Sequence, residues 1–338
     1  MRPHFACLLA LACAGSLAAA KTLDIYFVDV EGGQATLMVT PSGQSLLVDT
    51  GWPGFNGRDA DRIAAAAKKA GVRQIDYLVI SHFHRDHAGG VPQLAERIPI
   101  VHFVDHGPNT ESGAAAGELF TAYEKAMAKG KHIVVKPGDR IPLRGVDVQV
   151  VTARGEQIGA PLAGAGQMNP LCASTERRAL DQTENARSVG VLVSYGKFRF
   201  VDLGDLSWNK ELDLVCPANR VGTVDVYLTT HHGMNMSGPA AIVHALRPRV
   251  AIMNNGARKG GTPEAWQAVK SSPGLEDFWQ VHFSIPAGKE NNVGEAQIAN
   301  LEEACQGFGV QLSAESDGSF SVVNQRTGFR KSYAARAQ

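Results

Sequence analysis

Residues 81–90 read Ser-His-Phe-His-Arg-Asp-His-Ala-Gly-Gly. His82, His84, Asp86 and His87 fall within six positions. Imidazole nitrogens and carboxylate oxygens are ligands for zinc and related divalent ions. The apolar run 75–80 reads as a buried strand that ends at Ser81. In extended chain His82 and His84, two residues apart, point the same way and reach one ion. Asp86 and His87 then turn back toward a second position. Gly89-Gly90 is expected to give the following backbone a tight turn.

Other elements must position these groups. Runs at 23–28, 35–40 and 44–48 have strand character, the last ending at Asp49-Thr50-Gly51. Residues 59–70 carry apolar side chains at helical spacing, with Gly71 as a stop. Residues 91–97 and 118–129 also read as helices. Further strands are expected at 133–135, 147–152, 189–194, 198–203, 224–229 and 250–253. Thr262 and Pro263 open a helix as N-cap and first residue. Residues 154–187, rich in Gly, Ala, Pro and polar types, read as a long surface loop. Runs at 310–313 and 319–323 flank Glu315-Ser316-Asp317-Gly318, a hairpin signal. Strands interspersed with helices predict an α+β chain of two mixed sheets covered by helices.

The 338 residues suffice for one large domain. Lys plus Arg and Asp plus Glu balance at 33 each, so no basic excess advertises nucleic acid as a partner. Nucleic acid enters only as a substrate class. Arg2, the apolar run 8–17 and Ala18-Ala19-Ala20 read as a secretory signal peptide over 1–20. The expected location is therefore outside the cytoplasm, periplasmic or secreted. No other stretch is apolar and long enough to span a bilayer. One domain is expected over 21–300, with a C-terminal β-hairpin extension packed on it over 301–338. Cys7 and Cys13 leave with the signal; of Cys172, Cys216 and Cys305, the first two are expected to pair, leaving Cys305 spare.

The cluster at 82–87 resembles the signature of the metallo-β-lactamase fold hydrolases. The stretch 46–51, Leu-Leu-Val-Asp-Thr-Gly, resembles that superfamily's first motif. Gly204-Asp205 resembles the motif of the aspartate that bridges two metals, and His231-His232-Gly233 resembles the last motif. The resemblance implies an αββα sandwich over about residues 22–256. It implies two divalent ions, zinc first and manganese as the alternative. His82 and His84 would hold one, Asp86, His87 and His232 the other, with Asp205 between them. His231 would then either support a ligand from outside or donate a proton to the leaving group, and Asp49 would orient a ligand from behind. The choice of His232 over His231 rests on similarity to phosphorylcholine-esterase relatives.

One position departs from the pattern. Most of the superfamily has a histidine about twenty residues before the bridging aspartate; Asn185 stands here. Its oxygen is at best a weak ligand for the first metal. Asn185 followed by Ser188, then Leu203-Gly204-Asp205 and His231-His232-Gly233, resembles the hydrolase domain of the ComEC family of DNA-uptake channels. The reading is an exported hydrolase using metal-activated water, with a phosphodiester as the leading substrate class. The substrate would be a small molecule or polymer with a hydrolysable ester or phosphoester. Lactone, ester or amide hydrolysis is the alternative, and a non-catalytic binding module the third reading. Weaker candidates for substrate contact are His106, in Asp105-His106-Gly107, and Asn209.

Overall fold

The computed structural model describes residues 22–336, so the expected signal peptide at 1–20 lies outside the described residues. Near-continuous apolar runs give the central strands two buried faces, and that pattern stacks two sheets between helices. The first sheet begins with β1 (Leu23–Phe27), β2 (Thr36–Val39), β3 (Ser45–Val48), β4 (Ile75–Val79), β5 (Ile100–Asp105) and β6 (Lys131–Val134), side by side in that order. β1 to β3 pair antiparallel; β3 to β6 pair parallel.

The second sheet holds β7 (Arg140–Leu143) and β8 (Val146–Ala153), with β9 (Glu156–Gln157) paired to β8. β10 (Gly190–Tyr195) and β11 (Phe198–Asp202) follow antiparallel. β12 (Val226–Leu228), β13 (Val250–Met253), β14 (Asp277–His282) and β15 (Ile298–Asn300) then run parallel to β11. The chain finally returns to the first sheet. β16 (Val310–Ala314) pairs with β1, and β17 (Phe320–Asn324) and β18 (Arg330–Tyr333) extend that edge. The C-terminal segment is thus a three-stranded edge rather than a hairpin alone.

Leu23, Ile25 and Phe27 of β1 face the second sheet, while Tyr26 faces out. They meet Val148, Val191, Phe200, Val226 and Trp279, and the C-terminal strands add Leu312 and Val322 to the same core. Four helices cover the first sheet: α1 (Arg58–Lys69), α2 (Arg85–Ala88), α3 (Val91–Ala95) and α4 (Ala114–Met127). Ile63, Ala67, Leu94 and Tyr123 pack from them onto Leu37, Leu47 and Leu78. The second sheet is covered by α5 (Trp208–Val215), α6 (Ala240–Leu246) and α7 (Pro263–Lys270), through Leu214, Ile242, Leu246 and Val269. The result is an αββα sandwich with three apolar layers. Each fully buried leucine-sized side chain contributes about 1.5–3 kcal/mol.

Residues 154–187 are less bare than a surface loop. They hold β9 and two short turns of helix at Pro170–Ala173 and Glu184–Arg187. A Cys172–Cys216 disulfide ties them to the end of α5, and Cys305 is free.

Candidate metal centre

The loops that leave β3, β4, β11 and β12 meet at one rim of the sandwich. Asp49 follows β3 with a left-handed backbone, φ 62°. This turn aims its carboxylate beneath β4. Oδ1 accepts from the Ser81 amide at 2.8 Å and Oδ2 from Ser81 Oγ at 2.6 Å. Oδ2 also lies 2.7 Å from His87 Nδ1. A carboxylate only accepts, so His87 Nδ1 carries a hydrogen and Nε2 is left facing the centre. Asp49 is wholly buried. It positions His87 and touches nothing in the cleft.

Four groups converge around that nitrogen. His87 Nε2 is 3.2 Å from Asp86 Oδ2, 3.2 Å from Asp205 Oδ2 and 3.2 Å from His232 Nε2. His232 Nε2 is 3.2 Å from Asp86 Oδ2 and 3.4 Å from Asp205 Oδ1. One donor atom from each lies within 4.8 Å of all the others. These separations suit four ligands about one ion, since ligand bonds near 2.1 Å place tetrahedral donors about 3.4 Å apart. His82 and His84 form a second grouping beside them. His82 Nε2 lies 3.0 Å from His84 Nδ1 and 3.9 Å from Asp205 Oδ2. Asp205 therefore stands between the two groupings. Asn185 Oδ1 is enclosed and has no hydrogen-bond partner. His231 Nε2 reaches Asp205 Oδ2 at 3.2 Å.

The electrostatics call for a cation. Burial alone would raise the Asp205 carboxyl, but His232, His87 and His231 outweigh it and hold it well below the usual range. Asp86 behaves alike: burial opposes ionisation, and His87 and His232 restore it. Burial would lower His87, yet Asp205, Asp86 and Asp49 push it well above the ordinary imidazole value. The protein by itself thus gathers positive charge around these carboxylates, and Lys259 Nζ adds more by pairing with Asp86 Oδ2. His82 is held well below its ordinary value by burial and by His87, so it is neutral with a free lone pair. Asp205 Oδ1 and His232 Nδ1 are buried without hydrogen-bond partners. Orphaned oxygen, neutral imidazole and clustered carboxylates fit a divalent metal.

The two expected substrate contacts, His106 and Asn209, are each engaged by other parts of the chain. His106 is 2% exposed and bonds Glu184 Oε2 at 2.7 Å, against the Phe83 ring. Asn209 is spent on the 154–187 segment: Oδ1 accepts from the Arg178 amide and Nδ2 donates to the Arg178 carbonyl. The reason given for Gly89-Gly90 also changes. Both have right-handed helical backbones, φ −66° and −77°. They are small because a Cβ at Gly90 would collide with the Thr50 carbonyl oxygen, and one at Gly89 with Pro53.

Several supports escaped sequence reasoning. Glu184 accepts from the Phe83 amide between the two first histidines, at 3.2 Å. Glu111 Oε1 holds His84 Nε2 at 3.1 Å. Gln34 donates to both oxygens of Asp202 and ties its own amide to the Asp86 carbonyl. Only Ser81 had a signal, since it immediately precedes His82.

With this geometry in place, residues 28–168 match the family model described as the Metallo-beta-lactamase superfamily. Over those residues the chain is similar to that superfamily, as the sequence motifs imply. The metallo-beta-lactamase resemblance extends to curated proteins. Recombination protein 2 of Haemophilus influenzae is 24% identical over 237 residues, 70% of this chain and 24% of that one. A hydroxyacylglutathione hydrolase of Stenotrophomonas maltophilia is 32% identical over 104 residues, 30% of this chain and 37% of that one. The chain therefore spans well under half the length of these relatives. Among solved structures, the metallo-beta-lactamase fold protein YhfI of Bacillus subtilis aligns over 76% of this chain and 95% of that one, at TM-score 0.46 and 12% identity.

Proposed function

We propose that the protein is an exported, metal-dependent phosphodiesterase with a dinuclear centre of zinc, or of manganese in its place. The observation that carries this reading is the buried convergence of Asp86, His87, Asp205 and His232 on one point, with His82 and His84 beside them. His82, His84 and Asp205 would hold one ion, with Asn185 as a weak fourth ligand. Asp86, His87, His232 and Asp205 would hold the other. Such ions lower the pKa of water toward neutrality and neutralise an anionic substrate.

The chain's own groups supply the rest. His231 moves the proton. Ser237 Oγ donates to the Leu206 carbonyl at 2.7 Å, so it must accept from His231 Nδ1, 3.3 Å away. That leaves Nε2 as the basic nitrogen, facing Asp205. Burial lowers the His231 pKa, which keeps it unprotonated at neutral pH. It takes a proton during attack and returns it to the leaving oxygen. Lys259, beside Asp86 and partly exposed, would bind a phosphoryl oxygen.

The similarity to a recombination protein supports a phosphodiester, and the similarity to a hydroxyacylglutathione hydrolase supports the ester reading. The Cys172–Cys216 disulfide supports export. The test is hydrolysis of bis-p-nitrophenyl phosphate against p-nitrophenyl acetate, each with and without chelator. Chelator-sensitive turnover of the phosphodiester is expected. Turnover of the acetate alone would shift the reading to a neutral ester, and turnover of neither would leave a binding module.

A further inference from the structure

A second donor cluster lies apart from this centre and shares no residue with it. Asp29 follows β1, Glu31 lies two residues on, His282 ends β14, and Cys305 sits between β15 and β16. His282 Nε2 is 2.8 Å from Asp29 Oδ1 and 3.6 Å from Glu31 Oε2. Cys305 Sγ is 3.2 Å from Asp29 Oδ2, 3.3 Å from Glu31 Oε1 and 4.0 Å from His282 Nε2. We propose that Asp29, Glu31, His282 and Cys305 form a second divalent-metal site, of the mixed sulfur, nitrogen and oxygen type that takes zinc or cobalt(II).

Hydrogen bonding alone leaves this cluster unbalanced. The thiol has one proton, yet Sγ lies within bonding distance of two carboxylates. His282 Nε2 has at most one proton for its own two carboxylate neighbours. The remaining approaches set lone pair against lone pair. A central cation resolves them together, and the separations of 2.8–4.0 Å bracket the roughly 3.3–3.8 Å edges of a tetrahedron built on zinc–ligand bonds. Arg62 does not fill the place by itself. Its Nη1 donates to Asp29 Oδ2 at 2.9 Å and Glu31 Oε1 at 3.1 Å, and its Nη2 to Cys305 Sγ at 3.7 Å, so it sits on one side of the cluster and leaves the His282 side to the ion. With Cys305 as thiolate, two carboxylates and one thiolate are balanced by a divalent ion together with Arg62. On binding, the S–H bond breaks, a metal–sulfur bond forms, and the proton leaves to solvent. Asp29 and His282 are fully buried, whereas Glu31 and Cys305 are partly exposed and open a route for the ion.

The site would staple the 301–309 segment to the 28–34 strap. That strap also braces the first centre, because the Gln34 amide donates to the Asp86 carbonyl. The role is therefore structural.

The test uses the full chain, stripped with chelator and reloaded with cobalt(II). The first centre has no sulfur donor, and Cys172 and Cys216 are paired. A thiolate-to-cobalt charge-transfer band in the near ultraviolet is expected for the wild type and for Asp205→Ala, and not for Cys305→Ser. Because Cys305→Ser can fail to fold, Cys305 alkylation by iodoacetamide is also mapped by peptide mass spectrometry on the wild type. At least a tenfold slower alkylation with cobalt(II) is expected. No band, with equal alkylation in either state, would overturn the proposal and leave an ion-paired network.

Discussion

At the residue scale, the candidate ligands were legible and their supports were not. His82, His84, Asp86 and His87 announce themselves because four donors in six positions serve no structural purpose. Glu111 and Glu184 do not, since a lone glutamate in a polar segment looks like any solvated residue. Yet Glu184 is buried, and its carboxyl is pulled down to about 2: burial opposes this, and the bonds from His106 and Thr110 overcome it. A depressed carboxyl gives stability that is present above its ordinary value near 4.5 and lost as pH falls toward 2. Glu184→Gln is expected to cost about 1–3 kcal/mol near neutral pH, measured by urea denaturation. That gap to the wild type should close as pH drops through the same window. Lys259→Ala should raise KM for bis-p-nitrophenyl phosphate about tenfold, equivalent to one charged hydrogen bond, and leave any acetate turnover unchanged.

At the element scale, strands with unbroken β-branched runs were visible, and β13 fell at 250–253 as expected. β5 carries no clear sequence signal, because Pro99 precedes it and His102 interrupts its apolar run. β15 and β18 are too short or too polar to signal themselves; β18 is Arg-Lys-Ser-Tyr. They exist because neighbouring strands pair with them, a tertiary effect that local propensity does not carry. Asn209 illustrates the same limit. It follows Asp205 closely in sequence, but α5 turns it onto the 154–187 segment. Gly90→Ala tests how tightly elements set the site. The added methyl would push α3 away from the Thr50 carbonyl, and Thr50 in turn bonds the His87 carbonyl. Metal affinity, followed by isothermal titration, should fall at least tenfold, with a loss of about 1–3 kcal/mol in stability.

At the scale of the whole molecule, the succession of apolar runs and helical periods made the sandwich readable. Closure of the first sheet by the C-terminal strands was only half visible. The inner core depends on large side chains from both sheets, so Phe200→Ala should cost about 3–5 kcal/mol in chemical denaturation while leaving the metal-to-protein ratio intact. The cysteine pair spans 44 residues, and its removal should cost about 2–4 kcal/mol. The central claim is that Asp205 joins two groups of donors into one hydrolytic metal centre. Elemental analysis of the purified wild type and of Asp205→Ala, paired with bis-p-nitrophenyl phosphate hydrolysis on the same samples, tests it most directly. The account predicts that the variant loses at least one metal per chain and all measurable turnover. Equal metal content and equal turnover in the two proteins would contradict it.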